Sequence, residues 1–180
     1  MAIENWTIDI VHSSINFWVR HLMVSKVHGR FAKWSGRLAF DEQKPESSSL
    51  EVEIDAASID TRDTPRDTHL RSADFFDVEK FPTLKFVGTR IENTGQNELK
   101  LTGNLTMHGV THPVTLDVEY AGRSKHAYLG ERIGFSARGV LNRREWGLVW
   151  NQTLDTGGLA LSDKIELQLE IQATKPAPAA

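Results

Sequence analysis

The 180-residue chain contains no cysteine. That excludes disulfides, thiolate zinc sites and a cysteine nucleophile, and it leaves the redox compartment open. It also lacks a basic run. Its 21 Lys and Arg stand against 24 Asp and Glu, a net charge of −3, so no footprint of a nucleic-acid partner is present. No apolar stretch reaches the length of a transmembrane helix. The N-terminus, MAIENWTIDI, has no basic n-region and no apolar h-region, so no signal peptide is read in it. The expected compartment is therefore cytoplasmic, or periplasmic if this is the N-terminus of a mature chain.

Catalytic patterns are scarce as well. There is no glycine-rich phosphate loop, and no pair of carboxylates stands out from the surface acids. Ser136, in Gly134-Phe135-Ser136-Ala137-Arg138, misses the nucleophile-elbow pattern and lies on a strand. His108 and His112 have a spacing that suits a metal on a helix. Here they flank a β-turn, where that spacing fixes no geometry, so they read as turn histidines. Three short Asn-X-Thr matches, at Asn5, Asn104 and Asn151, arise easily by chance. The default is a binding protein with no cofactor and no metal.

What the chain does have is strict alternation. Ile15, Phe17 and Val19 share one face of the run 14–21, and Trp18 and Arg20 share the other. A second run, 26–40, carries Phe31 and then Trp34, Gly36, Leu38 and Phe40, with a parity change at Ala32-Lys33 that predicts a bulge. Further runs follow over 50–56, 84–91 (Leu84, Phe86, Gly88), 99–107 (Leu99, Leu101, Gly103, Leu105, Met107) and 114–120. The last two cover 133–141 (Ile133, Phe135, Ala137, Gly139, Leu141) and 165–171. Gly109 is read as opening a turn that includes His112-Pro113. Eight strands, apolar on one face and charged on the other, predict an antiparallel sheet. Strands this long and numerous close on themselves, so the expected fold is all-β, an eight-stranded antiparallel barrel in one domain over 1–174. Residues 175–180, Pro/Ala-rich, are expected to be a disordered tail. The small inward residues Gly88, Gly103, Ala137 and Gly139 either let strands bend or leave room inside.

One segment breaks the alternation. Thr64-Pro65-Arg66-Asp67 reads as a helix start, with Thr64 as cap, Pro65 at the first position and Asp67 reaching back. The helical insertion is expected over about 64–77 and ends before Phe81-Pro82. It either plugs one barrel end or forms the mouth of a cavity. Adjacent side chains in a helix diverge by about 100°, so Phe76 is expected in the fixed core and Phe75 on the ligand side.

Four stretches, HSSINFWVRH (12–21), RDTHLRSADFFD (66–77), GNLTMHGVT (103–111) and NRREWG (142–147), resemble the YceI-like family, in order and over nearly the whole chain. The resemblance implies a lipocalin-like barrel that holds a long isoprenoid lipid, such as a polyprenyl phosphate or a ubiquinone-like molecule, and commonly a homodimer. Many members are periplasmic. Trp146 stands where a smaller side chain is expected and would narrow one end of the pore. On this reading Phe17, Val19, Phe31, Phe40, Phe86, Leu101, Leu105, Met107, Phe135, Leu141 and Trp146 line the lumen. Leu70, Phe75 and Phe76 gate it, and His21, Arg66, His69 and Arg71 meet the polar head.

Elementary dimensions agree. A strand of about ten residues rises roughly 33 Å, and a tilt near 40° leaves about 25 Å of height. Each buried methylene contributes about 0.8 kcal/mol before entropy costs. Two other classes stay open: an enzyme using His21 and His69 as acid and base, which needs the two within hydrogen-bond reach of one substrate, and a fully packed interaction module with no internal void.

Overall fold

The computed structural model describes residues 2–176. Eight staves close into one antiparallel barrel, and three of the staves are broken. The first is β1 (Glu4–Ile8) and β2 (Ser14–His21), kinked by a 3-10 turn at Ile10–His12. The second is β3 (Ser25–Phe31) and β4 (Trp34–Phe40), broken at the expected Ala32-Lys33. The third is β5 (Ser49–Asp55) and β6 (Ile59–Asp60). The other five are continuous: β7 (Thr83–Gly95), β8 (Glu98–Met107), β9 (Val110–His126), β10 (Gly130–Asn142) and β11 (Leu161–Lys175).

The broken staves explain how the barrel closes at one end and opens at the other. β11 splits its partners along its length. Thr174 and Ala173 pair with Thr7 and Ile8 of β1, whereas Ile165 to Glu170 pair with β2. At the β1 end the order β1-β4-β5-β7-β8-β9-β10-β11 returns to β1 and leaves no edge. At the other end the row runs β11-β2-β3-β6 and stops. Among the described residues β6 pairs only through Ile59 and Asp60, with Phe31 and Arg30 of β3. The gap between β6 and β7 is filled by the helix α1 (Thr64–Arg71) and the turns that follow it.

The helix is shorter than expected, ending at Arg71 rather than near Asp77. Its cap is Asp63, whose carboxylate accepts from the Arg66 N–H, and Thr64 is the first helical residue. Asp67 turns instead to the preceding loop and accepts from the backbone N–H (2.9 Å) and the hydroxyl of Thr61. A buried carboxylate needs such donors more than the cap needs a second acceptor. Elsewhere Met107 and Val110 are bridged by a two-residue turn with positive φ at His108 and Gly109. His112 and Pro113 therefore belong to β9, with Pro113 opposite Asn104. Lys175 belongs to β11 and not to a tail, and 177–180 lie outside the described residues.

The inward glycines hold side chains rather than space. A Cβ at Gly103 would collide with the ring of Phe86, one at Gly139 with Leu116, and one at Gly29 with the ring of Phe17, its cross-strand partner. Each missing side chain lets a neighbour fold flat against the wall, an arrangement that large–small alternation in a barrel requires.

Candidate functional site

Inside the barrel is a cavity of about 420 Å³, walled by inward side chains of the staves together with α1 and the 148–161 connection. Its wall is apolar over most of its extent. Phe17, Val19, Phe31, Phe86, Leu101, Leu105, Met107 and Leu141 line it, as do Leu70, Phe75 and Phe76 from the segment that fills the gap.

The floor is sealed. Trp6, Phe40, Leu99, Tyr120, Ile133 and Ala173 form a second apolar cluster at the β1 end, each less than a tenth exposed. Phe40, Tyr120 and Phe135 make an aromatic triad with centroids 5.1 to 5.2 Å apart. Phe40 and Phe135 thus line the lumen as its base. The Tyr120 hydroxyl donates to Glu42 (2.8 Å), and burial, aided by that carboxylate, pushes its ionisation well above the ordinary range. Arg123 and Lys175 lie over Trp6 and pair with Glu4 from outside.

The other end carries the polar groups. His21 ends β2 between Ser25 and Leu161 and lines the cavity. Arg66 lines it from α1, with Nε donating to the Thr61 hydroxyl and Nη2 to the Thr61 carbonyl, both at 2.7 Å. His69 donates through Nε2 to Asp74 (2.8 Å), since an ionised carboxylate only accepts. Its ring stands edge-on to Trp150 (4.6 Å) and Phe75 (5.1 Å). Trp150 and Phe75 are also in contact, 5.3 Å between centroids. A three-ring latch therefore joins α1 to the 148–161 connection over the cavity. The side chains of Arg66 and His69 are more than a third exposed, so the cavity faces solvent at this end, whereas the cluster at the floor is buried.

Two assignments are corrected. Arg71 does not line the cavity. Its guanidinium donates to the carbonyls of Ala57 (2.8 Å) and Ile59 (3.1 Å), tying α1 to the β5–β6 bend. Trp146 is fully buried but lies off the lumen, because the 3-10 turn Arg143–Trp146, closed by left-handed Gly147, packs it into the core. There its indole N–H donates to the Leu105 carbonyl (2.9 Å). The contrast between Phe75 and Phe76 also changes. Both follow the helix in a turn, where the 100° rule does not operate, and both face the cavity. Phe75 is the more buried, under the latch, while Phe76 is partly buried and meets Phe31 edge-on. His108 and His112 both serve Trp146, the first donating through Nδ1 to its carbonyl (3.0 Å), the second standing edge-on to its ring.

One site residue was missed. Arg143 lines the cavity at only 4% exposure. Nε donates to Ser162, Nη1 to Leu148 and Trp150, and Nη2 stands 3.8 Å from Asp163 with no hydrogen-bond partner among the described residues. Burial pulls its ionisation below the ordinary value. The signal was there: Arg143 continues, in step, the inward face of Ile133, Phe135, Ala137, Gly139 and Leu141.

A closed antiparallel barrel with an apolar lumen, a buried floor and a polar, latched mouth is a lipocalin-like scaffold of a kind that can enclose an apolar ligand. The chain belongs to the YceI-like family, whose YceI-like domain matches residues 6–173. It is 37% identical over 164 residues to a UPF0312 protein of Pseudomonas putida (strain GB-1), covering 91% of this chain and 82% of that one. Among solved structures it resembles the YceI protein of Campylobacter jejuni (TM-score 0.76, 34% identity, 87% and 89% of the two chains). It also resembles BcnA of Burkholderia cenocepacia (0.81, 25%, 93% and 99%). A polyisoprenoid-binding domain from Saccharophagus degradans shares the fold at 13% identity (TM-score 0.63, 95% and 98%).

Proposed function

We propose that this protein binds a single long-chain isoprenoid lipid, a polyprenyl phosphate or a quinone with an isoprenoid tail, and carries or stores it without chemical change. The observation that carries the reading is the shape and chemistry of the cavity: apolar walls, a sealed base and cationic or hydrogen-bonding groups gathered at the one open end. Such a volume falls in the roughly 300–1,000 Å³ range that encloses most of a small ligand. The tail lies against Phe17, Phe86, Leu101 and Met107. The head stays at the mouth beside His21, Arg66 and His69, where Arg143 keeps one donor free. The polyisoprenoid-binding name of the Saccharophagus degradans domain supports the same ligand class. His69 is held by Asp74 and two rings, the arrangement of a latch more than of a proton shuttle.

Native mass spectrometry of the protein made in bacteria, followed by organic extraction, tests this directly. The expected result is one lipid per chain, chased out by added polyprenyl phosphate or ubiquinone. Protein that emerges empty and takes up neither would refute the reading.

A further inference from the structure

The β2–β3 hairpin has a turn that its sequence should avoid. Leu22 and Met23 are its two central residues, both with positive φ (53° and 62°), and the Val24 N–H closes it onto the His21 carbonyl (3.2 Å). This conformation belongs to Asn-Gly or Asp-Gly, and branched or long apolar side chains are strained in it. The strain serves no packing, because Leu22, Met23 and Val24 are 41%, 70% and 82% exposed. Three consecutive apolar side chains are thus held in water on a tight turn.

The surroundings say what covers them. The Leu22 N–H donates to the Ala160 carbonyl (2.8 Å), which brings exposed Leu159 alongside. The hairpin lies at the cavity mouth, since His21 and Val27 on its two strands line the lumen. From residue 10 to residue 40 the chain has five Lys and Arg and no Asp or Glu, although the whole is acidic. Arg30 is paired with Asp60, but Arg20 and Lys26 flank the tip, with Trp18 stacked beneath them (5.9 and 4.2 Å). The neighbouring 151–160 connection adds one acid, Asp155. Arg20 and Lys26 stand about two residues, roughly 7 Å, back from the apolar tip. An interfacial segment sinks about 5–10 Å into the boundary of headgroups and acyl chains, which sets these cations at phosphate level and Trp18 in the aromatic belt.

We propose that the Leu22-Met23-Val24 tip is a membrane-docking finger that seats the open end of the barrel on an anionic lipid bilayer. Docking goes beyond lipid binding: it stands on the finger and its charge, and a chain with an empty cavity would still dock. It gives the guest a route between bilayer and lumen that avoids water.

Flotation of the full chain with vesicles of phosphatidylglycerol and phosphatidylethanolamine tests the finger. Binding should exceed that to pure phosphatidylcholine vesicles by at least about tenfold and should fall with salt, as each cation near an anionic surface adds about fivefold. The double variant Leu22→Asn/Met23→Gly should lose about tenfold or more of this binding. It supplies the residues the turn favours, so its denaturation midpoint should hold or rise. Orientation is read with a single engineered cysteine, since the chain has none. A polarity-sensitive dye on Val24→Cys should shift to the blue on anionic vesicles. The same dye on Asn97→Cys, at the sealed end, should not. The proposal is overturned if the wild-type chain stays with the unfloated fraction, or if the double variant floats equally well. It is also overturned if the variant changes only the oligomer seen by sedimentation, which would make the finger a contact between copies of this chain.

Discussion

Replacing Gly29 by alanine asks whether the cavity is a volume the protein uses. Gly29 lies on the inward face of β3 directly opposite Phe17, whose ring lies flat over it. A Cβ there would sit within 3.0 Å of three ring carbons, against the roughly 3.5–4.0 Å of a relaxed carbon contact. The ring must therefore move about 1 Å, and only the lumen has room for it. Overpacking of a filled core costs about 1–3 kcal/mol. Here the ring swings into free space, and alanine gains back about 0.5–1 kcal/mol over glycine in a strand. The net change for Gly29→Ala should be about 0–2 kcal/mol in denaturant, with bound lipid reduced severalfold. Adding Phe17→Leu should restore the volume and the lipid together. A loss above about 4 kcal/mol, or unchanged lipid in Gly29→Ala, would show that the ring has nowhere to go or that the lumen near Phe17 is not occupied.

Truncating the two adjacent phenylalanines should separate latch from wall. Phe75→Ala, which strips a buried ring from His69 and Trp150, should cost about 3–4 kcal/mol and speed lipid loss, followed by denaturant titration and by transfer to acceptor vesicles. Phe76→Ala, partly buried beside Phe31, should cost less, about 2 kcal/mol; the opposite order would refute the placement of the latch. Alkaline pH tests the floor. The folded-state ionisation of Tyr120 is raised, so its contribution is complete below the unfolded value near 10 and is lost as pH rises beyond it. Wild type should lose stability between about pH 10 and 12 relative to Tyr120→Phe, and an ultraviolet titration should show a phenol that resists ionisation.

The wall of the barrel was legible because it obeys a local rule. Period-two alternation identifies an inward residue without knowing its neighbours, and that rule placed Phe17, Phe86, Leu105 and Leu141 on the lumen. It failed where long-range partners decide. β1 is short and is held by Thr174 and Ala173 at the far end of the chain, so no neighbouring residue announces it. Asp67 looked like part of a cap, yet Thr61 offers it two donors that only the folded loop presents. Trp146 and Arg71 were expected at the lumen by their place in motifs, but each is drawn off by a backbone carbonyl, Leu105 or Ala57, invisible in sequence. Arg143 shows the converse error: it kept the alternation and was passed over because it is charged.

The sealed floor has a kinetic consequence. A tube open at both ends lets an incoming guest push out the resident one. A blind tube cannot: the second molecule waits until the first has left by the same door. Turnover in such a vessel is set by the escape step alone, so exchange should proceed at one rate however much competitor is supplied. On the proposed reading the protein would be a timer as well as a container, and the contacts among the rings of His69, Phe75 and Trp150 should set its interval.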